Sequence, residues 1–162
     1  MIAVIVPIVI ILISFSFVIF FGAPYLPTLS LQIDTALDLI DLKPEDTLLE
    51  LGCGDGRVLI AAAKRGINCI AYEINPILLV ISWLRTRRYK KLIKLRWGNF
   101  WVVKWPEADA IFVFLLEKYM EKLDKKCIQY DHKPVKLVSF AFPVKSKKPD
   151  KLHNGVFMYL YK

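Results

Sequence analysis

The apolar residues of this chain fall into short continuous runs that alternate with segments in which they recur every three or four positions. Continuous runs are typical of strands in a parallel sheet that helices cover on both faces. Such runs predict six strands, at residues 47–51, 68–74, 92–97, 110–115, 135–142 and 156–161. Helical spacing predicts helices at residues 30–42, 57–65 and 76–89, and another after residue 115. The alternation of these elements indicates an α/β fold with a mostly parallel sheet.

Proline, glycine and asparagine mark the ends of several of these elements. Asn75 and Pro76 have the order expected of a helix N-cap followed by a first-turn proline. Asn154 and Gly155 form a hairpin turn signal just before the last strand. The preceding residues, 143–153, are rich in lysine and are predicted to form a loop.

The first 21 residues contain no charged side chain, and the first charge in the chain is that of Asp34. A helix of this length extends about 31 Å, which is enough to cross the hydrocarbon core of a bilayer. A cleavable signal peptide would have a basic start and a small-residue cleavage site, and neither is present. The sequence therefore predicts an uncleaved single-pass membrane anchor at residues 1–21, a connector at residues 22–30 and a folded domain at residues 31–162.

The net charge of +8 lies entirely after the apolar N-terminus. By the positive-inside tendency, the domain is expected on the cytoplasmic side of a membrane or in an equivalent compartment. Cys53, Cys69 and Cys127 are an odd set without a CxxC pair, which is typical of structural thiols in a reducing compartment. His132 and His153 lack the spacing of metal ligands, so no metal site is expected.

The sequence E-L-G-C-G-D-G at residues 50–56, called here the glycine turn, follows the first predicted strand and precedes a predicted helix. A dinucleotide-binding turn needs a small residue at the position of Arg57. The observed spacing, with Glu50 two residues before the first glycine, is instead typical of class I S-adenosylmethionine-dependent methyltransferases. Glycines let the backbone approach a ligand closely, and the Glu50 carboxylate can accept an ammonium group. Glu73 ends the second strand, where a carboxylate can bind ribose hydroxyls; a turn that binds nothing is the alternative.

Four segments together resemble one family. They are the sequence A-P-Y-L-P-T at residues 23–28 after the apolar N-terminus, E-L-G-C-G-D-G-R at 50–57, Y-E-I-N-P at 72–76 and G-N-F-W at 98–101. They resemble the membrane-anchored class I protein-lysine methyltransferases that modify the adenine nucleotide translocase and the ATP synthase c-subunit, and the small prokaryotic relatives of these enzymes. The resemblance covers nearly the whole chain. It implies a Rossmann-like class I methyltransferase sheet, with an N-terminal transmembrane helix, and S-adenosylmethionine as the cofactor.

The same resemblance implies roles for individual residues. Tyr25, Pro27 and Thr28 would cover the cofactor as an N-terminal flap, although Tyr25 and the two prolines of this segment can also be interpreted as a membrane-interface anchor and spacer. Asn99 would hydrogen-bond the adenine amino group, with Phe100 packing beside it, although Asn99 can also be a plain turn residue. The complete set of cofactor-binding residues implied in this way is Thr28, Glu50, Gly52, Gly54, Glu73, Asn99 and Phe100.

Two residues are candidates for a catalytic role, Glu117 and Tyr25. Glu117 follows the fourth strand, where it could orient a lysine ammonium or assist its deprotonation; the alternative is a first-turn acid that stabilises the next helix. Aromatic side chains near strands three and four could favour a neutral amine by desolvation. These are Phe100, Trp101, Trp105, Phe112 and Phe114. The run Phe-Leu-Leu-Glu at residues 114–117 lacks the Asn/Asp-Pro-Pro-Tyr signature of adenine and glutamine methylation.

The sequence thus predicts S-adenosylmethionine-dependent methylation of a lysine side chain in a membrane-embedded or membrane-proximal protein. A small-molecule or lipid methyltransferase and a non-catalytic cofactor-binding scaffold are the two competing interpretations. Residues 85–96 contain seven cations and no acid. This stretch can be a solvated helix end, a contact with anionic lipid, or a nucleic-acid contact, of which the nucleic-acid contact is the least favoured.

Overall fold

The computed structural model describes Ile5 and residues 28–162 of the chain. The strands are β1 (Thr47–Leu51), β2 (Asn68–Glu73), β3 (Ile93–Trp97), β4 (Ala110–Val113), β5 (Val135–Phe140), β6 (Lys151–His153) and β7 (Val156–Tyr161). The helices are α1 (Ser30–Ile40), α2 (Arg57–Lys64), α3 (Pro76–Thr86) and α4 (Met120–Ile128), with short 3-10 turns at Arg87–Tyr89 and Glu117–Tyr119. The six strands predicted from apolar runs are all present, so the α/β prediction is confirmed for this part of the chain.

One sheet contains all seven of these strands in the order β3-β2-β1-β4-β5-β7-β6. The first five strands in this order are parallel to one another, whereas β7 is antiparallel to both β5 and β6. The chain runs outward from β1 to β2 and β3, then returns to the other side of β1 with β4. In such sheets a ligand binds at the carboxyl ends of the strands where the order reverses. The ends of β1, β2 and β4 therefore define where a site is expected.

The two faces of the sheet are covered by separate apolar clusters. Leu48 belongs to the cluster that includes residues of α1 and α2, whereas Leu49 belongs to the cluster that includes residues of α4. Both side chains are fully buried, because successive residues of a strand point to opposite faces. This burial on both faces explains why β1 is a continuous apolar run, and it encloses the backbone up to Glu50, the residue before the end of the strand.

The N-terminus of α3 has the cap that the sequence predicts. The Asn75 side-chain oxygen accepts hydrogen bonds from the backbone N–H groups of Ile77 (2.9 Å) and Leu78 (3.3 Å), and Pro76 occupies the first turn. These bonds satisfy donors that have no partner inside the helix. The α-helix ends at Thr86, before the predicted residue 89, because the chain tightens there into the first 3-10 turn.

The basic segment 143–153 is not entirely a loop, and this part of the prediction is wrong. Its last three residues form β6, which pairs with β7 across the turn at Asn154 and Gly155. Both turn residues have positive φ angles, of 47° and 72°, as a tight hairpin turn requires. All three residues of β6 are exposed, so the strand leaves no apolar pattern in the sequence. Its backbone pairing with β7 alone makes the sheet seven-stranded.

The predicted transmembrane helix and single-pass membrane localisation are corrected by the structure. Among Ile5 and residues 28–162, no helix is both long enough and apolar enough to cross a membrane. The longest of these helices, α1 and α3, have 11 residues each. They extend about 16 Å, roughly half the thickness of a hydrocarbon core. The predicted span at residues 1–21 lies outside the described residues apart from Ile5, as does most of the connector at 22–30.

Candidate functional site

Glu50 lies near the carboxyl end of β1, between Ala71 of β2 and Phe112 of β4. Its side chain is buried, and its Oε2 atom has no hydrogen-bond partner among the described residues. Burial, and secondly the charge of Glu73, raise the pKa of the Glu50 carboxyl well above its usual value. A buried polar atom without a partner is unfavourable unless a ligand supplies one. Glu50 is therefore a candidate to bind a hydrogen-bond donor or a cation.

Glu73 ends β2 and is also buried. Its Oε2 accepts a hydrogen bond of 2.8 Å from the Gly54 N–H, and its Oε1 accepts one of 2.8 Å from the Asn75 N–H. Burial raises the pKa of the Glu73 carboxyl, while these backbone donors oppose the rise. The side chain thus ties the glycine turn to the start of α3. It also brings a second carboxylate to the edge of the sheet at which Glu50 lies.

Glycine is required at residues 52 and 56 of the turn for two different structural reasons. Gly52 has a φ of +90°, and a Cβ added there would meet no atom within 4 Å. Its backbone therefore borders open space that a ligand can approach closely. Gly56 has a φ of +79°, and a Cβ there would lie 2.5 Å from the Oγ of Ser82 and 3.0 Å from the Cγ2 of Thr86. Glycine at residue 56 therefore permits close packing between the glycine turn and α3.

A polar network anchors the first described residues beside the glycine turn. The buried carboxylate of Asp55 accepts hydrogen bonds from Arg57 Nε (3.0 Å) and Nη2 (2.9 Å), and it also pairs with Arg85 of α3. Arg57 Nη1 donates to the carbonyl oxygen of Thr28 at 3.1 Å. Thr28, a residue predicted for the cofactor flap, is itself buried. The network places the end of the predicted flap next to the glycine turn.

Sequence reasoning missed this network. The sequence shows Arg57 as part of the motif at residues 50–57 and as the start of a predicted helix, and Arg85 as part of a cationic run; neither pattern indicates a pairing with Asp55. The acid and the base at residues 55 and 57 are a signal that could have suggested their pairing. Nothing in the sequence indicates the contacts of Arg57 with Thr28 or of Asp55 with Arg85, because the partners are 29 and 30 positions apart.

Asn99 and Phe100 follow β3 at the same edge of the sheet. The preceding residue, Gly98, donates its N–H to the carbonyl oxygen of Glu73 at 3.0 Å, which places Asn99 close to the end of β2. The Asn99 side-chain oxygen accepts from the Trp101 N–H at 2.9 Å, so Asn99 also has the structural role of a turn residue. Both Asn99 and Phe100 are partly exposed. They are available to a ligand that contacts Glu73.

The aromatic residues predicted to form a channel divide into two groups. Phe112 and Trp105 are buried and belong to the core. Phe100, Trp101 and Phe114 are partly exposed, and the rings of Phe100 and Trp101 are 4.8 Å apart. Only the second group can therefore border a path to the site.

Of the two catalytic candidates, Glu117 lies among the described residues and Tyr25 does not. Glu117 begins the second 3-10 turn, four residues after β4 ends, and its Oε1 lies 2.6 Å from the Nζ of Lys145. Both side chains are at least half exposed. Tyr25 lies outside the described residues. The role of each residue stays a prediction.

The chain matches one protein-family model. A family model described as the ANTKMT methyltransferase domain matches residues 50–151, well over half of the sequence. The chain belongs to this family. The family predicted from the sequence resemblance is therefore confirmed.

Individual relatives agree with this membership. The lysine N-methyltransferase of the ATP synthase c-subunit from Homo sapiens is 28% identical over 131 residues, which cover 78% of this chain and 55% of the relative. A protein-lysine N-methyltransferase of Saccharolobus islandicus is 30% identical over 152 residues, 85% of this chain and 92% of the relative. The chain thus spans little more than half the length of the human relative but nearly all of the archaeal one.

The fold is that of class I methyltransferases. The crystal structure of an RNA methyltransferase from Salinibacter ruber, in complex with S-adenosyl-L-homocysteine, matches with a TM-score of 0.76 and 27% sequence identity. The match covers 84% of this chain and 92% of that one. The seven-stranded sheet described above is therefore the expected framework for a site at the ends of β1, β2 and β4.

Proposed function

We propose that this protein transfers a methyl group from S-adenosylmethionine to the side-chain amine of a lysine in a protein substrate. The observation that carries the cofactor part of the proposal is the Oε2 of buried Glu50, for which residues 28–162 offer no hydrogen-bond partner. The family, and relatives named as lysine N-methyltransferases, support the lysine part. The archaeal relative adds weight because its length is close to that of this chain.

The described residues fit this cofactor. Glu50 and Glu73 are buried carboxylates, and no described lysine or arginine lies within 4.0 Å of either. A ligand with an ammonium group and a ribose diol supplies the charge and the donors that this pair lacks. The open space beside Gly52 lets such a ligand contact the backbone. When bound, S-adenosylmethionine supplies an activated methyl group on a positively charged sulfur.

Each site residue has a role in this proposal. Glu50 binds the ammonium group, and Glu73 binds the ribose hydroxyls while keeping its bonds to the turn, since each carboxylate oxygen can accept more than one hydrogen bond. Asn99 orients the adenine, and Phe100 packs against it. Thr28, held by Arg57, closes the site from the N-terminal side. In this proposal residues 31–162 are the methyltransferase domain and residues 22–30 are its connector and flap.

The acceptor lysine must lose a proton before it attacks, because the pKa of a free lysine is about 10.4. Partly exposed Phe100, Trp101 and Phe114 can lower that pKa by excluding water from the amine. Glu117 is the candidate to orient the ammonium before it is deprotonated. Its ion pair with Lys145 would have to open for this role. Exposed ion pairs are weak, so this opening costs little free energy.

The first experiment measures cofactor binding by the full chain. Calorimetric titration with S-adenosylhomocysteine should show saturable binding, and the Glu50→Gln variant should weaken it at least tenfold. Glu107→Gln, at an exposed position, is the matched control and should bind as the wild type does. A folded protein that does not bind S-adenosylhomocysteine would overturn the cofactor part.

The second experiment identifies the acceptor. The full chain is incubated with methyl-labelled S-adenosylmethionine and with separate membrane-protein, soluble-protein, lipid and RNA fractions. Label should enter protein and be recovered as methyllysine, and a target in the membrane fraction would agree with the sequence prediction. Label recovered only in RNA would instead favour the activity named for the Salinibacter ruber protein. Label only in lipid or small molecules would favour a methyltransferase for those acceptors, and no label at all would favour a non-catalytic scaffold.

A further inference from the structure

Helix α3 exposes several large apolar side chains, whereas two of its three buried residues, Ser82 and Thr86, are polar and the third is Leu78. Ser82 is fully buried and Thr86 is 3% exposed, whereas Trp83 is 60% exposed and Val80 is 56% exposed. A surface helix of a globular protein normally has the opposite arrangement. The exposed apolar side chains, called here the α3 apolar face, are Val80, Ile81, Trp83 and Leu84.

The orientation of α3 is determined by its contacts with the glycine turn. The Oγ of Ser82 lies 3.8 Å from the Sγ of Cys53, and Gly56 leaves room for both Ser82 and Thr86. The Thr86 hydroxyl donates to the Ser82 carbonyl oxygen at 2.8 Å, so its polarity is satisfied within the helix. At residues 82 and 86, small side chains are needed for close packing against Gly56. The larger apolar residues are left facing outward.

A cationic region continues from this face. Residues 74–106 contain no aspartate or glutamate. The cations between residues 85 and 96 are Arg85, Arg87, Arg88, Lys90, Lys91, Lys94 and Arg96. Within the part of the chain that the structure describes, only Arg85 of this set has a carboxylate within 4.0 Å. Arg96 donates to the Tyr72 hydroxyl at 2.9 Å on the face of the sheet that α4 covers, and Lys94 lies on the same side of β3. Arg87, Arg88, Lys90 and Lys91, which follow α3 directly, are exposed and are the cations available to negative charges from outside the protein.

We infer that the α3 apolar face and the cations that follow it form a docking surface for an anionic lipid bilayer. Aliphatic and tryptophan side chains beside arginine and lysine are the combination that binds the boundary between headgroups and acyl chains. The cations match the negative surface of such a bilayer. The helix would lie in the plane of the interface, which needs no membrane-spanning length. The proposal does not depend on the methyl-transfer activity.

Two other occupants fit the same surface less well. A second copy of the chain, docked through the same face by a two-fold axis, would bring two sets of cations together. A nucleic acid would match the cations, but it does not require the exposed aliphatic side chains of Val80, Ile81 and Leu84. A bilayer uses both the apolar and the cationic part of the surface.

The N-terminus of α3 lies beside the candidate site. The helix begins at Pro76, three residues after Glu73, so its N-terminus lies at the edge of the sheet that contains the candidate site. Strand β6 is the last strand of the sheet, at the opposite end of the strand order from β3. Its residue Leu152 is 58% exposed but lies far from α3. This residue provides a matched control for an experiment on the full chain.

The test uses an environment-sensitive fluorophore attached to Leu84→Cys, with Leu152→Cys as the control. The native cysteines, Cys53, Cys69 and Cys127, are buried, so the introduced thiol is labelled preferentially. Vesicles that contain phosphatidylserine should shift the emission of the label at residue 84 to the blue. They should leave the label at residue 152 unchanged, and vesicles of phosphatidylcholine alone should have a much smaller effect on residue 84.

Charge-reversal variants distinguish binding through the cations that follow α3 from a general attraction between the protein's net charge and the vesicle. Arg87→Glu with Arg88→Glu should raise the lipid concentration at half-maximal shift about tenfold or more. Lys148→Glu with Lys151→Glu changes the net charge equally, near β6, and should have little effect. Equal responses at residues 84 and 152, or no response at 84, would overturn the proposal. A shift that depends on protein concentration without vesicles would identify a second copy as the occupant, and an equal shift with single-stranded RNA would identify nucleic acid.

Discussion

The carboxylate of Glu73 accepts a hydrogen bond of 2.8 Å from the backbone N–H of Gly54, so the end of β2 is joined directly to the turn that follows β1. The other oxygen of Glu73 accepts from the N–H of Asn75, which caps α3. One side chain therefore positions the glycine turn, the end of β2 and the start of α3. The same carboxylate is the proposed ribose-binding group, so binding and preorganisation depend on one residue.

Replacing Glu73 by glutamine should weaken S-adenosylhomocysteine binding about ten- to one-hundredfold. The amide has one acceptor and one donor end, so one of the two backbone N–H groups loses its partner, and a charged hydrogen bond contributes about 1.5–3 kcal/mol. Calorimetric titration measures the change, with Glu107→Gln as the control at an exposed position. Equal affinities of Glu73→Gln and wild type would remove Glu73 from the site.

Cofactor binding should release a proton from Glu50. Burial, and then the charge of Glu73, raise the pKa of this carboxyl in the free protein, whereas the ammonium group of the cofactor favours the ionised form. Affinity for S-adenosylhomocysteine should therefore fall as the pH is lowered through the pKa that Glu50 has in the free protein. Titrations in two buffers with different ionisation enthalpies count the released protons.

The Glu50→Gln variant is the control for proton release on cofactor binding. It also tests whether the Glu50 carboxyl makes the free protein more or less stable as the pH rises. A carboxyl whose pKa is raised by folding contributes stability that is present below its unfolded pKa of about 4.3 and is lost as the pH rises. As the pH rises above this value, the melting temperature of cofactor-free Glu50→Gln should therefore fall less than that of the cofactor-free wild type. The same proton release in both proteins would show that another group titrates.

Arg57→Lys should loosen the first described residues of the chain. Lysine keeps the charge but lacks the fork that contacts both Asp55 and the carbonyl oxygen of Thr28. Backbone amide exchange in residues 28–33 should become faster, and S-adenosylhomocysteine binding should weaken several-fold. Arg65→Lys, which affects exposed ion pairs with Asp34 and Asp38, should change neither quantity. Unchanged exchange in Arg57→Lys would contradict the anchoring role.

Alanine at Gly52 and at Gly56 should have different effects. Both positions have positive φ, so each substitution carries a strain of about 1 kcal/mol. Gly56→Ala adds a clash with Ser82 and should lower the melting temperature clearly more than Gly52→Ala does. Gly52→Ala should mainly reduce S-adenosylhomocysteine affinity, because its Cβ points into open space beside the site. Ser82→Ala in the Gly56→Ala background should recover part of the stability.

Much of the fold could be predicted because burial leaves a pattern in the sequence. The bounds of β1 and β7 agree with the prediction to the residue, since both strands are apolar runs between turn residues. Strand β6 was missed because its side chains are exposed and only its backbone pairs with β7. The apolar N-terminal run predicted a transmembrane helix that no described part of the chain provides.

The sequence by itself determined the family and pointed to the carboxylates of the candidate site, because Glu50 and Glu73 belong to motifs whose residues are close in the chain. Only the tertiary structure decided that the Glu50 oxygen lacks a partner among the described residues, that Arg57 holds Thr28, and that Val80 and Trp83 of α3 face outward. Each of these facts depends on contacts between residues that are distant in sequence. Hydropathy and spacing record which residues are apolar, but packing decides which of them are covered.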